Sequence, residues 1–89
     1  MTRSTLEVAA SAERSLARLP DKVAAAVVEF MLGPLLDAPR RVGAPLRDEL
    51  AGAYSARVGA YRILYEVIDG RQVVRVIALG HRADVYRPR

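Results

Sequence analysis

The chain has 89 residues with a net charge of +4, and 52% of them are hydrophobic, with no cysteine. This length predicts a single domain over residues 1–89, and the composition excludes a disordered chain, a disulfide framework and a zinc–cysteine site. No run approaches the roughly 20 apolar residues of a membrane span, and no signal-peptide pattern follows Met1, so we expect a cytoplasmic protein without a membrane partner.

The first 45 residues predict one short strand and two helices. Residues 5–9 alternate apolar and polar side chains, which favours a strand. We expect Ser11 to cap a helix over residues 12–19, with Pro20 ending it. Asp21 is expected to cap a second helix, which Gly33-Pro34 should break, leaving one more turn and then a loop over residues 38–45. The connection between the two helices is so short that they are predicted to form a hairpin.

The remaining residues read as three strands. Residues 52–58, 61–68 and 72–79 are rich in Val, Ile and Tyr. They are separated by Gly59-Ala60 and by Asp69-Gly70, the latter with or without Arg71, and both favour hairpin turns. These strands form an antiparallel meander, with the N-terminal strand at one edge and the helical hairpin on one face. The predicted fold class is therefore α+β, a small two-layer domain.

Alternation along the strands sorts the side chains onto two faces. Tyr54 and Ala56, with Ile63 and Tyr65 on the next strand, are expected to pack under the helices. Arg57 and Arg62 then share the opposite, uncovered face, which we call the open face. Two guanidinium groups on neighbouring strands repel each other and at the same time prepare a site for an anion.

The positive charge of the chain is concentrated in its C-terminal part. Residues 1–39 hold four basic and five acidic residues, whereas residues 40–89 hold ten arginines and five acidic residues. Guanidinium is a planar fork that pairs with phosphate and stacks on bases. The distribution favours one anion-binding face, and the alternative is a solvated basic surface without a partner.

Residues at the end of the last strand add groups suited to RNA cleavage. Metal-free cleavage needs a base for the ribose 2′-OH, cations for the charge of the phosphorane, and an acid for the leaving oxygen. Arg62 and Arg82 are expected to stabilise the phosphorane, since arginine is too basic to accept a proton. His81 is the candidate acid or base, and Tyr86 could transfer a proton or stack on a base. No metal or other cofactor is expected, because one histidine and scattered carboxylates make no ligand cluster.

The order of elements and several motifs resemble the RelE branch of the RelE/ParE toxin superfamily. The similarity covers nearly the whole chain, and its most specific parts are the strand Tyr61-Arg-Ile-Leu-Tyr65 and the ending Gly80-His-Arg-Ala-Asp-Val-Tyr86. The resemblance implies a toxin that cleaves mRNA in the ribosomal A site and is inhibited by a RelB-like antitoxin. Operator DNA would be bound only through the toxin–antitoxin complex.

The resemblance also implies roles for individual residues. Arg62, Arg82 and Tyr86 match positions of the family site, and Arg57 stands where many relatives have a catalytic lysine. A second lysine is replaced by Ser55, so His81 is a candidate to supply what Ser55 does not. The predicted catalytic set lists Arg57, Arg62, His81, Arg82 and Tyr86, and the predicted RNA-binding set lists Arg47, Ser55, Arg57, Arg62 and Arg82.

Other interpretations remain open at this point. Arg62 could simply pair with Glu66 on its own strand, and His81 could be structural. The whole chain could instead be a ParE-like inhibitor of DNA gyrase without a nuclease site. It could also be a degenerate toxin that binds only its antitoxin and operator DNA.

Overall fold

A computed structural model describes residues 4–82 and Val85. Within them, strand β1 (Thr5–Val8) is followed by helices α1 (Ala10–Ala17), α2 (Asp21–Leu32) and α3 (Pro34–Asp37). Four further strands follow: β2 (Ala44–Pro45), β3 (Ala53–Val58), β4 (Tyr61–Ile68) and β5 (Val73–His81). No helix in this part of the chain has the length and apolar character needed to cross a membrane.

The five strands form one sheet in the order β1-β5-β4-β3-β2. Strands β3, β4 and β5 are the predicted antiparallel meander. At one edge β1 pairs with β5 in parallel. The helices and strands β2 to β4 lie between them in the chain and form the long connection that a parallel pair needs. At the other edge Ala44 and Pro45, predicted as loop, form a two-residue strand against β3. The predicted α+β fold is confirmed, with a sheet that is mixed rather than entirely antiparallel.

Both predicted helix caps are wrong, although the helices themselves are present. Helix α1 begins at Ala10, because the N–H of Ala9 still donates to the Val76 carbonyl (2.9 Å) and the chain turns immediately afterwards. Pro20, and not Asp21, precedes α2, and no side chain caps it. Asp21 lies in the first turn instead, where the helix dipole still favours a negative charge.

The two hairpin turns differ from each other. Gly59 has φ +60°, which a two-residue turn of type II′ requires at its first central position. The second turn, predicted at Asp69-Gly70 with Arg71 as a possible third residue, is a 3₁₀ turn over Asp69–Arg71, and Gln72 takes the left-handed conformation with φ 54°. Gln72 was predicted to begin the last strand, but a left-handed residue cannot extend a strand, so β5 begins at Val73.

The core lies between the helices and one face of the sheet. Val27 and Met31 of α2 and Leu35 of α3 are buried against sheet residues that include Ile63, Tyr65 and Val76. Their alternation along the strands is the predicted one, with Tyr65 and Ile63 fully buried. At about 25 cal/mol per Å² of buried apolar surface, side chains of this size fix which face of the sheet is covered.

The loop between α3 and β2 is attached to this core through Tyr65. The phenol donates a hydrogen bond to the carbonyl of Pro39, and its ring stacks on Tyr54 with centroids 5.6 Å apart. Gly43 passes directly over the phenol, and a Cβ there would collide with the Tyr65 hydroxyl. The loop is thereby held against the sheet edge next to β3.

Candidate functional site

Arg57 and Arg62 lie directly opposite each other on neighbouring strands. The register of β3 and β4 pairs them, and it pairs Tyr61 with Val58 and Ile63 with Ala56 on either side. Directly paired residues share a face, with Cβ atoms about 4.5–5.5 Å apart. Since Ala56 and Ile63 are buried under the helices, both arginines are on the open face as predicted.

Neither arginine has its charge neutralised inside the described part of the chain. Among residues 4–82 and 85, no carboxylate forms an ion pair with Arg57 or Arg62. Arg57 is exposed and Arg62 is half-buried. The Nη1 of Arg62 is buried and has no hydrogen-bond partner among the described residues. An unpaired buried donor on a cation is costly, so an anion bound here would stabilise it.

Glu66, the suggested partner of Arg62, is too far away to pair with it. The two residues share a face but are four positions apart, about 13 Å along a strand. Glu66 instead lies 3.9 Å from Arg75 on the adjacent strand. The interpretation of Arg62 as half of an ion pair with Glu66 is therefore wrong, because the cross-strand neighbour is nearer.

Arg75 belongs to an ion-pair cluster at the other end of the open face. Its Nε and Nη2 donate to Glu7 Oε1 at 3.2 Å each, and Arg71 contacts the second oxygen of Glu7 at 3.3 Å. Together with Glu66, this cluster contains two arginines and two carboxylates. The open face is thus neutralised around Arg75 and positively charged around Arg57 and Arg62.

The end of β5 folds back toward the arginine pair. Gly80 is paired with Arg62, and a Cβ on Gly80 would lie 3.9 Å from Val85. The N–H of Val85 donates to the His81 carbonyl at 3.0 Å, which closes this turn. Leu64, also on the open face, is only 3% exposed. The arginine pair therefore lies beside a small apolar surface and not on a bare sheet.

Arg82 lies near the pair, whereas His81 faces the other way. The N–H of Arg82 donates to the Ala60 carbonyl at 3.0 Å, so its backbone is beside the turn between β3 and β4. His81 is paired with Tyr61, one position from Arg62, and the two rings meet edge to face at 5.7 Å. Strand β5 extends to His81, two residues further than predicted. Side chains alternate along the strand, so His81 lies on the face opposite Arg62.

Ser55 and Arg47, two residues of the predicted RNA-binding set, lie at different distances from the pair. Ser55 is on the open face of β3, two residues from Arg57 and opposite Leu64. Arg47 follows β2. The N–H of the preceding Leu46 donates a hydrogen bond to the Ala53 carbonyl, at the end of β3 that is far from Arg57. By strand spacing, Arg47 is about 16 Å from Arg57. The structure brings Ser55 to the arginine pair and does not bring Arg47 there; Tyr86 lies outside the described residues.

Another charged contact, like the cluster around Arg75, was not predicted from the sequence. Arg40 forms an ion pair with Asp69 at 2.6 Å. The hydrogen bond between them raises the pKa of the guanidinium and lowers the pKa of the carboxyl. Both partners are exposed, and nothing in their spacing of 29 residues announces the contact. It links the loop before β2 to the turn before β5, away from the arginine pair.

The arrangement can bind a phosphate and stabilise negative charge that develops on it. Each guanidinium group is a planar fork of N–H donors that matches phosphate oxygens, and this site has two of them on adjacent strands. Among the described residues, no three side chains of His, Asp or Glu are grouped closely enough to hold a metal ion.

Similar proteins carry the same fold and point to one family. A family model described as the ParE toxin of the type II toxin–antitoxin system parDE matches residues 6–86. Toxin RelE of Mycobacterium tuberculosis is 50% identical over 80 residues, which cover 90% of this chain and 82% of that protein. Toxin RelG of the same organism is 49% identical over 83 residues, covering 93% and 95%.

A solved structure agrees with these relatives. The toxin–antitoxin complex RelBE2 of M. tuberculosis contains a chain that superposes with a TM-score of 0.87 at 46% identity, covering 91% of this chain and 100% of that one. A match over nearly the whole chain and two relatives near 50% identity show that this protein belongs to the ParE toxin family of type II toxin–antitoxin systems, as a RelE-like toxin.

Proposed function

We propose that this toxin is an endoribonuclease that cleaves mRNA in the ribosomal A site without a metal ion, and so stops translation in the cytoplasm. The observation that carries the proposal is the directly opposed pair of Arg57 and Arg62, with the Nη1 of Arg62 buried and unpartnered in the described structure. Like charges placed opposite each other destabilise a sheet, so this pair is costly unless an anion occupies the site.

The proposed reaction is an internal phosphoryl transfer. The ribose 2′-oxygen attacks the adjacent phosphorus, the bond from phosphorus to the 5′-oxygen breaks, and the products are a 2′,3′-cyclic phosphate and a 5′-hydroxyl. The proton of the 2′-OH must be accepted and the leaving oxygen must receive one. Arg57, Arg62 and Arg82 stabilise the charge of the phosphorane, and Tyr86 transfers a proton or stacks on a base.

RNA contacts outside the reacting phosphate involve fewer groups of this chain. Ser55 lies next to Arg57 and can hydrogen-bond the ribose or phosphate, and Arg47 contacts the backbone a few nucleotides away. Because the site has so few charged groups, another macromolecule is needed to hold the mRNA in position for cleavage. We assign that role to the small ribosomal subunit, which supplies the positioning that this sheet does not.

The proposed protein partner is a RelB-like antitoxin. The similar chain in the RelBE2 crystal structure is part of a toxin–antitoxin complex. We propose an acidic or amphipathic antitoxin segment that neutralises the open face, and operator DNA bound only through that complex.

A second candidate function is inhibition of DNA gyrase without nuclease activity, and the description of the matching family as the ParE toxin favours it. A pure binder has no need for an unpaired arginine pair of this geometry. Gyrase inhibition would leave mRNA intact and produce DNA breaks, so the two functions have different products.

Primer extension on a translated message after induced expression tests the proposal. The wild type should produce cuts at defined codon positions, and Arg62→Ala and Arg82→Ala should lower cleavage by about a hundredfold, the usual cost of removing one group that stabilises transition-state charge. Antitoxin binding by Arg82→Ala should stay nearly intact.

Arg75→Ala is the matched control for these variants. It removes an arginine from the same face, but one already neutralised by Glu7, so cleavage should change by less than about threefold. Undiminished cleavage by Arg62→Ala, or DNA breaks without RNA cuts in the wild type, would refute the nuclease.

A further inference from the structure

We propose that His81 is a positioning residue for this reaction and not its acid or base. Its imidazole packs on Tyr61 on the face opposite Arg57 and Arg62, and thereby holds the end of β5 and the following Arg82 beside the start of β4. This inference rests on the nuclease proposed above.

The register at the end of the sheet supports this assignment. Tyr61 pairs with His81 and Arg62 pairs with Gly80, two consecutive pairs of the antiparallel ladder. Consecutive pairs project to opposite faces, so the imidazole and the Arg62 guanidinium leave the sheet in opposite directions. A general base needs its nitrogen about 2.6–3.2 Å from the 2′-OH, and a phosphate bound at Arg62 lies on the far side of the backbone from His81.

Ring packing explains what the imidazole does there. Its ring meets that of Tyr61 edge to face, with centroids 5.7 Å apart and planes at 82°. An edge-to-face arrangement is favourable for two aromatic rings. Tyr61 begins β4, directly before Arg62, so the ring contact ties the last residue of β5 to the first residue of β4.

The backbone on both sides of His81 transmits this restraint to Arg82. The N–H of Arg82 donates to the Ala60 carbonyl at 3.0 Å, and the His81 carbonyl accepts from the N–H of Val85, also at 3.0 Å. These bonds form where the chain leaves the sheet, and they require the end of β5 to stay paired with β4. Without the ring contact the strand end can fray, and the backbone of Arg82, from which the guanidinium extends, then leaves its place beside Ala60.

Two substitutions separate the roles. His81→Phe keeps a ring of similar shape and removes the titrating nitrogens, whereas His81→Ala removes both. Ribosome-bound message should be cleaved by His81→Phe within about threefold of the wild type, with the same dependence on pH between 5.5 and 8.5. Cleavage by His81→Ala should fall by about ten- to a hundredfold, the usual effect of misplacing a group by an ångström, again with the wild-type pH dependence.

Hydrogen exchange of the Arg82 amide, followed by NMR on the free full-length toxin, gives a readout that does not depend on nuclease activity. Protection of this amide should persist in His81→Phe and be lost in His81→Ala. The positioning role is overturned if Arg82 stays protected in His81→Ala. It is also overturned if His81→Phe is as inactive as His81→Ala while the wild-type pH profile has an inflection near 6.5 that both variants lack. A wild type that cuts no RNA would defeat the nuclease alone, since amide protection would still decide whether His81 positions Arg82.

Discussion

At the scale of single residues, Arg62 and Tyr65 each bury a polar atom, but the two atoms differ in whether they are hydrogen-bonded to a described residue. The Arg57–Arg62 pair combines like charges in direct opposition, and the Nη1 of Arg62 is buried without a partner in the described residues. Tyr65 is the contrasting case, a fully buried phenol whose hydroxyl is satisfied by the Pro39 carbonyl. The Tyr65 hydroxyl, which contributes to stability, is paired, whereas the Nη1 of Arg62, assigned to function, has no partner in the part of the chain that the structure describes.

Tyr65 should make stability depend on alkaline pH. Burial, with a smaller contribution from Tyr54, raises the pKa of Tyr65 to about 12. The unfolded chain ionises this phenol near pH 10, so the native state holds the proton more tightly and the free energy of unfolding should fall between about pH 10 and about pH 12. Below pH 10 the contribution is fully present.

Tyr65→Phe tests this expectation in urea unfolding experiments. At pH 7 the variant should be less stable by about 1 kcal/mol, since the Pro39 carbonyl loses its donor. Between pH 10 and 12 the difference from the wild type should shrink, because only the wild type has a phenol at position 65 that can ionise. Parallel stability curves over that window would contradict the assigned pKa shift.

The local sequence predicts the bounds of some helices and strands better than those of others. Strand β4 occupies the predicted residues Tyr61–Ile68, because alternation and β-branched or aromatic residues coincide there. The break at Gly33-Pro34 is also where it was expected. Helix α1, in contrast, begins at Ala10 rather than after Ser11, because backbone pairing of Ala9 with β5 fixes where the chain turns. A contact 67 residues away in the chain thus overrides a local capping preference.

The turn between β4 and β5 can be improved by one substitution. Gln72 has φ 54°, a conformation in which a Cβ is unfavourable by roughly 1 kcal/mol and glycine is not. Gln72→Gly should therefore raise the free energy of unfolding by about 1 kcal/mol, measured by urea titration. Gln72→Ala is the control, since it keeps the Cβ and should change stability little. A Gln72→Gly protein no more stable than Gln72→Ala would show that the turn is not strained.

Charge is distributed unevenly, both along the chain and between the two ends of the open face. The first 39 residues are close to neutral, the remainder carry the entire positive excess, and within the open face one end is neutralised by the cluster around Arg75. The cationic end is therefore small, and only a few phosphates can contact it at once. We expect weak RNA binding by the isolated toxin, with a modest dependence on salt.

The salt dependence of RNA binding measures the size of the cationic end. For a single-stranded RNA that contacts Arg57, Arg62 and Arg82, log K should fall with log salt with a slope of about −2, at about −0.7 per neutralised phosphate. Arg62→Ala should reduce the magnitude of the slope by about 0.7 in a fluorescence anisotropy titration. Arg14→Ala, in helix α1, should leave it unchanged. An equal loss in both variants would mean that binding is diffuse over the surface.

The site was predicted less completely than the fold, and for a physical reason. Alternation within one strand is local, so the shared face of Arg57 and Arg62 followed directly from the sequence. The pairing of β4 with β5 shifts register between Leu64 and Tyr65. This irregularity changes which face of the sheet the later residues of β5 lie on. The face of His81 could not be read from the sequence for that reason. The pairing of Glu66 with Arg75 is set instead by the 3₁₀ turn over Asp69–Arg71, which fixes the register next to it.

By itself, the sequence determined the α+β class, the three-stranded meander and the placement of two arginines on one face, because periodicity and turn residues act over a few neighbouring positions. Only the tertiary structure decided that β1 runs parallel to β5, that Glu7 and Glu66 pair with Arg75, and that His81 packs on Tyr61. These are contacts between residues distant in the chain, and their free energy depends on register and burial that no local pattern encodes.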